Sequence, residues 1–248
     1  MKFLHFIYLL FLLNSCKKET TNLTKITANT ITIDSTILPS KQINDIITPY
    51  KEKLTGDMQE GLTYTPIDLT KETVSMQSNL GNLLADMCYE MANPIFKNNS
   101  GVPIDFSMFN YGGIRATVPN GKVTKEHAFK LMPFENELVI VNITGEKVIE
   151  LITYFIEEKK AHPLSKNIEL LIEDNNYTLK INDEVFDKNK TYSVLTTDYL
   201  QGGGDKMDFF KNPNKLTKID YKMRDAIINY FKSVDTLKTA IDNRVKIK

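Results

Sequence analysis

The stretch ELVIVNITGEKVIELITYFIEEKK, Glu137 to Lys160, changes its hydrophobic period halfway along. Leu138, Val139, Ile140, Val141 and Ile143 form an apolar run that predicts a strand. From Gly145 the apolar residues Val148, Ile149, Ile152, Phe155 and Ile156 recur at helical spacing, with charges on the opposite side, which predicts an amphipathic helix. The same two patterns interleave along the rest of the chain without a strict alternation of strand and helix. This points to an α+β fold with mixed sheets.

Towards the C-terminus, strands are predicted around IELLIED (168–174), YTLKIND (177–183) and YSVLTTDYL (192–200). YKMRDAIINYFKSV (221–234) closes as an amphipathic helix before a terminal strand at RVKIK (244–248). Towards the N-terminus, KEHAFKLMPF (125–134) suits a short helix ended by Pro133, and PIDFSMFN (103–110) alternates like a strand. SNLGNLLADMCYEMA (78–92) places Leu80, Leu83, Leu84, Met87, Cys88 and Met91 on one stripe, with Ser78 or Asn79 as N-cap, so this helix should be largely buried. SKQINDIITPYKEKLTGDM (40–58) has Ile43, Ile46, Ile47 and Tyr50 at helical spacing, with Pro49 as a boundary or kink. Residues 16–39 read as a tether, with one strand around KITANTITID (25–34), and residues 40–248 as the domain. No internal repeat is found.

The chain opens MKFLHFIYLLFLLNSC, with one cation at Lys2 and an apolar run from Phe3 to Leu13 broken by His5. A membrane-spanning helix needs roughly 20 apolar residues, so residues 1–15 read as a secretory signal. The ending Leu13-Asn14-Ser15-Cys16 resembles a bacterial lipoprotein box, in which Cys16 is acylated; an ordinary cleavable signal with an incidental Cys16 is the alternative. The expected location is the bacterial cell envelope, lipid-anchored at Cys16 on a periplasmic or surface face, with the membrane met through that anchor only.

Lys+Arg and Asp+Glu both number 31, which removes the electrostatic case for a DNA or RNA partner. With Cys16 assigned to lipid, Cys88 is the one remaining thiol and reads as a small core residue. The chain has three histidines; His5 leaves with the signal, and His127 and His162 read as exposed helix or loop residues rather than metal ligands. No nucleophile elbow, Walker lysine loop or dinucleotide glycine motif occurs. Catalytic residues, metal ligands and cofactors are therefore not expected in this chain.

Binding chemistry is better represented. In NYGGIR, Asn110 precedes Gly112 and Gly113, whose freedom lets backbone amides approach an anion, and Arg115 adds a permanently charged planar fork. Taken alone, the same loop also reads as a turn followed by a solvated cation. TTDYLQGGGDKMDFF offers the ring of Tyr199 for stacking and the carboxylate of Asp205 for sugar hydroxyls. LMPFENEL adds Phe134 and Asn136, which also read as a core residue and a turn residue.

SNLGNLLADM, NYGGIRATVPNGKVT, LMPFENEL with VNITGEKV, and YLQGGGD occur together in one order. In that order they resemble the C-terminal substrate-binding domain of the 5'-nucleotidase and UDP-sugar hydrolase family. The resemblance covers roughly residues 40–248 and implies a multilayered α/β/β/α-type domain that carries the base and sugar of a nucleoside or nucleoside 5'-phosphate. In the family, an N-terminal metallophosphoesterase domain with two divalent metals performs hydrolysis. Carried onto this sequence, the resemblance makes Phe134 and Tyr199 the rings that sandwich the base. Asn136 becomes a base contact, Asp205 the ribose-binding acid and Arg115 a phosphate contact, while Asn110 shapes the loop. Tyr111 stands where the family has a glycine and would narrow that loop. In TKETVSMQSNLG, Thr70 and Val74 stand where the family has further arginines, so the phosphate would face chiefly Arg115.

The family's metallophosphoesterase motifs are not found in this chain. The lone chain is thus expected to have little or no hydrolase activity and to act as the binding half of a split 5'-nucleotidase in nucleotide catabolism. A separately encoded metallophosphoesterase would supply the divalent metals. A non-enzymatic nucleoside- or nucleotide-binding lipoprotein is the alternative, and a degenerate domain without ligand is a third reading.

Overall fold

The computed structural model describes residues 22–174 and 176–248, so the expected secretory signal, His5 and Cys16 lie outside the described residues. The chain divides into two units, residues 1–48 and 49–248. In the first unit, described residues 22–40 form no helix or strand. They contain one turn, in which the Ile37 amide donates to the Asp34 carbonyl at 3.2 Å. The strand expected at 25–34 is therefore absent: Ile26, Ile31 and Ile33 are exposed and no neighbouring strand pairs with them. Helix α1 (Lys41–Met58) continues through Pro49 instead of ending there, and none of its residues is buried.

The second unit is built on a four-stranded sheet of β2 (Phe106–Ser107), β8 (Thr191–Thr197), β4 (Glu137–Thr144) and β9 (Lys215–Lys222), in that order. β2 runs parallel to β8, and β4 runs antiparallel to both β8 and β9. Successive side chains of a strand point to opposite faces. Leu138 and Ile140 of β4 accordingly enter one core, and Val141 and Ile143 enter the other. The apolar run that lacks alternation is thus a strand covered on both sides.

On one face the core is closed by α2 (Asn79–Ser100) and α6 (Met223–Ser233), through Leu80, Leu84, Met87, Ile227 and Phe231. Ser78 caps α2 by accepting from the Gly81 amide at 3.0 Å, and Gly101 ends it in a left-handed conformation at φ 79°. Cys88 is fully buried among these residues, and burial pushes its thiol pKa up, as expected of a core cysteine.

On the other face lie α4 (Gly145–Glu158) and a second sheet in the order β10 (Val245–Ile247), β5 (Ile168–Glu173), β6 (Asn176–Ile181) and β7 (Glu184–Val185). Val148, Leu151, Ile152 and Phe155 of α4 pack with Ile168, Leu170, Leu179 and Ile181 in that core. Arg244, 4% exposed, fastens the terminal strand by donating to the Asp86 and Asp242 carboxylates and to the Leu164 carbonyl. The architecture is α+β with mixed sheets, in layers.

Four strands go unpredicted from the sequence, among them the two-residue β7. β1 (Gly61–Thr65) and β3 (Gly121–Thr124) pair antiparallel but are too short to display an alternation. β9 is an edge strand bearing Lys215, Lys218 and Lys222, with a register shift opposite Leu138/Val139 and Asp220 at φ 50°. Charged, bulged edges protect a sheet from adding strands and also disguise it in sequence. Two further elements differ in extent. PIDFSMFN contributes only Phe106–Ser107 as strand, and YSVLTTDYL leaves the sheet at Thr197, after which α5 (Asp198–Gln201) begins. Thr197 caps α5 by accepting from the Leu200 amide at 3.3 Å.

Candidate functional site

Because β2 is parallel to β8 while β4 is antiparallel, the C-terminal ends of β2 and β8 and the N-terminal end of β4 share one edge of the central sheet. The three glycine- and aromatic-bearing loops emerge there. A cavity of about 250 Å³ at that edge is lined by Asn110, Gly112, Gly113, Arg115, Phe134, Asn136, Tyr199 and Asp205. All eight residues singled out in the sequence stand around one space. Pockets that enclose a whole small ligand usually measure about 300–1,000 Å³, so this one suits a ligand held between rings and partly open to solvent.

The loop after β2 turns through a short 3₁₀ segment, Tyr111–Gly113. A Cβ on Gly113 would lie 2.7 Å from Asn110 Oδ1, so glycine is needed for Asn110 to fold back over its own turn. Asn110 Nδ2 then donates to Asp205 Oδ2 at 2.7 Å, joining the first loop to the third.

Asp205 has φ 52° and follows Gly203 at φ 89°, left-handed conformations that glycine and aspartate tolerate better than other residues. Its other oxygen accepts from the Tyr199 hydroxyl at 3.0 Å, a bond that raises the phenol pKa. Each carboxylate oxygen can accept twice, so both retain capacity for sugar hydroxyls. Gly204 has no side chain to collide with the Tyr199 ring, which stays 47% exposed.

Phe134 is 40% exposed and is held from behind by Arg224, a buried residue that the sequence reading passes over. Arg224 Nη1 donates to the Phe134 and Met132 carbonyls at 3.2 and 3.3 Å, its guanidinium stacks 4.4 Å from the Phe129 ring centre, and it ion-pairs with Glu135. Lys222 and Arg224 hold the Glu135 carboxyl down to about 2. Asn136 accepts the Met223 amide on its carbonyl at 2.9 Å, leaving its side chain at the cavity.

Arg115 is exposed, with its Nη1 3.3 Å from the Gly112 carbonyl and its guanidinium 5.7 Å from the Phe134 ring centre. A second cation reaches this loop from the segment that precedes α2. Lys71 Nζ donates to the Ile114 carbonyl at 2.9 Å and lies 4.1 Å from the Tyr111 ring centre. Burial, then the charge of Arg115, lowers the Lys71 pKa. Among the described residues neither cation has a carboxylate partner. Two like charges thus act on one another at this loop. Thr70 and Val74 are uncharged, and the cation between them in sequence is Lys71. Tyr111 lines a neighbouring cavity.

The histidines differ from their reading as exposed residues. His127 is half-buried and completes the N-cap of α3 (Lys125–Leu131), its Nδ1 accepting from the Thr124 amide at 2.9 Å. His162 is 5% exposed, and its Nδ1 accepts the Tyr111 amide at 3.1 Å. Its flanking Lys160 is exposed, which makes the segment look like surface in sequence. Among the described residues no group of three or more His, Cys, Asp or Glu side chains could hold a metal ion. The donors among the described residues do not fit the family's dinuclear metal centre.

This layered α+β domain with its loop-built cavity is placed in a family by comparison with known proteins. The family model for the 5'-nucleotidase C-terminal domain matches residues 62–212, and the chain belongs to that family. It is 29% identical over 234 residues to cell wall protein Lmo0130 of Listeria monocytogenes, covering 84% of this chain and 28% of that protein. It is 27% identical over 176 residues to protein UshA of Escherichia coli, covering 68% and 30%. Among solved structures, a 5'-nucleotidase precursor from Thermus thermophilus superposes with a TM-score of 0.67 at 20% identity, covering 82% of this chain and 42% of that one, which shows a common fold. The chain thus spans under half the length of these relatives.

Proposed function

We propose that this chain is the nucleotide-binding half of a split 5'-nucleotidase, presenting nucleoside 5'-phosphates to a separately encoded metallophosphoesterase. The observation that carries the reading is the convergence of two exposed rings, an acid, an amide and the Arg115 cation around one cavity, with Lys71 bonded to a carbonyl of the Arg115 loop. Phe134 and Tyr199 would hold the base by stacking, with Asn136 at its edge. Asp205 would accept the ribose hydroxyls, and Arg115 with Lys71 would meet the phosphate. The residues provide binding and orientation; the hydrolytic water and its activation would come from the partner.

Two measurements test this. Titrating the soluble domain with adenosine and AMP should give binding of both, tighter for AMP. Lys71→Ala should weaken AMP about tenfold while changing adenosine little, as expected for one charge-assisted contact; equal loss for both ligands would remove Lys71 from the phosphate end. A phosphatase assay with AMP and Mn²⁺ should show little turnover by the chain alone and turnover after mixing with the metallophosphoesterase. Robust turnover by the chain alone overturns the reading. Binding without turnover in any mixture favours a non-enzymatic nucleotide-binding lipoprotein.

The lipoprotein-like ending at Cys16 supports an envelope location. Palmitate labelling of the expressed protein, lost in Cys16→Ser, is the expected result.

A further inference from the structure

We propose that His162 and Tyr154 are positioning residues for the nucleoside site, holding its first and third loops in register from behind without touching the ligand. The inference rests on the nucleoside-binding reading above and adds residues that neither motif nor cavity lining assigns to it.

The two loops approach one another across a second cavity of about 310 Å³. Its lining shares Gly112 and Asp205 with the nucleoside cavity and adds Tyr111, Tyr154 and His162. On the first loop, the Tyr111 amide donates to His162 Nδ1 at 3.1 Å. A ring nitrogen that accepts carries no proton, so neutral His162 must bear its proton on Nε2. That Nε2 is buried and unpartnered, so the ring is retained at some cost in unsatisfied polarity. On the third loop, the Tyr154 hydroxyl donates to the Asp205 carbonyl at 2.9 Å, fixing the backbone of a residue in a left-handed conformation.

The two side chains are coupled to each other, because their ring centres are 5.4 Å apart. Tyr154 packs edge-on to Phe209 at 5.5 Å, and His162 lies 6.3 Å from Phe155. Tyr154 of α4 and His162 of the segment after it therefore reach both loops as one packed cluster. The Asn110–Asp205 bond within the site is made between side chains whose backbones this cluster holds. The charged groups facing His162 are Lys160, Glu158 and Asp205, with Lys206 also lining the cavity. Lys160 pairs with Glu158, so the surroundings add no strong net charge and the neutral ring remains the acceptor.

The test combines adenosine calorimetry at neutral pH with amide hydrogen exchange of the ligand-free loops, in wild type, His162→Phe, His162→Asn and Tyr154→Phe. His162→Phe and Tyr154→Phe should each weaken adenosine about five- to tenfold, the effect of one net hydrogen bond. Exchange at Tyr111 should quicken in His162→Phe, and exchange at 203–206 should quicken in Tyr154→Phe. His162→Asn should restore most of the affinity and the Tyr111 protection, since Oδ1 stands where Nδ1 stood. Wild-type affinity and exchange in both phenylalanine variants would overturn the proposal. Tyr154→Phe removes a single oxygen from a half-buried ring, so it decides the matter if His162→Phe does not fold. If the wild type gives no heat with adenosine or AMP, the nucleoside reading fails by itself. Loop exchange then judges the positioning role: quickening upholds it and wild-type exchange overturns it.

Discussion

Replacing Phe134 and Tyr199 together by alanine should abolish measurable heat of adenosine and AMP binding while leaving the melting temperature nearly unchanged. The rings are 40% and 47% exposed, so their removal opens no cavity in either core. What they supply is ligand contact. Base stacking on an aromatic side chain is worth about 1–3 kcal/mol by alanine substitution, and losing both rings removes about 2–6 kcal/mol, or roughly 30-fold to 10⁴-fold in affinity. Two secondary losses accompany it: Arg115 loses the ring it lies over, and Asp205 loses the Tyr199 hydroxyl. Equal heats for the double variant and the wild type would sink the assignment of this cavity.

Lowering the pH from 6.5 to 4 should cost the folded domain about 3 kcal/mol through His162 alone. Burial, then the charge of Lys160, pushes the His162 pKa down from its usual 6.5 to about 4, against the smaller opposing pull of Glu158 and Asp205. Across that window the unfolded chain binds a proton that the folded chain refuses. Stability from this group is therefore fully present above the unfolded pKa and drains away as pH falls towards the folded one. Below about 4 both states are protonated and the contribution is flat. Urea unfolding at pH 7.5, 5.5 and 4.0 should show the loss in wild type and its absence in His162→Asn. Carboxylates held low by partners, such as Glu135 beside Lys222 and Arg224, lose their contribution only below about pH 4.5. The difference between the two proteins at pH 5.5 consequently belongs to the histidine. Identical pH profiles would show that the buried ring is not titrating as its surroundings dictate.

The cavity's lining was legible because its residue types stand out on loops and because the motifs that carry them resemble those of a known family. Glycine pairs, an arginine, two aromatics and an acid on loops stand out against a background of helix and strand patterns. Lys71, Arg224, His162 and Tyr154 carried no such mark. Lys71 sits in a polar segment where any lysine reads as solvated, and Arg224 lies in the first turn of an amphipathic helix. His162 follows two lysines and an alanine, and Tyr154 is one more aromatic on a helix face. Their roles come from backbone carbonyls and amides that are distant in sequence, and a backbone group has no letter.

The amino-acid sequence by itself determined the α+β class, the burial of α2, the strand-to-helix passage at Thr144–Gly145 and the eight residues around the cavity. Local period and side-chain chemistry are written into neighbouring letters. Tertiary structure alone decided that β2 and β8 run parallel with β4 against them, so that loops separated by up to 95 positions open at one edge. It also decided that a lysine and a histidine readable as surface residues contact the same loop. Strand direction and the partners of backbone polar groups follow from packing the whole chain, and no short stretch of sequence contains them.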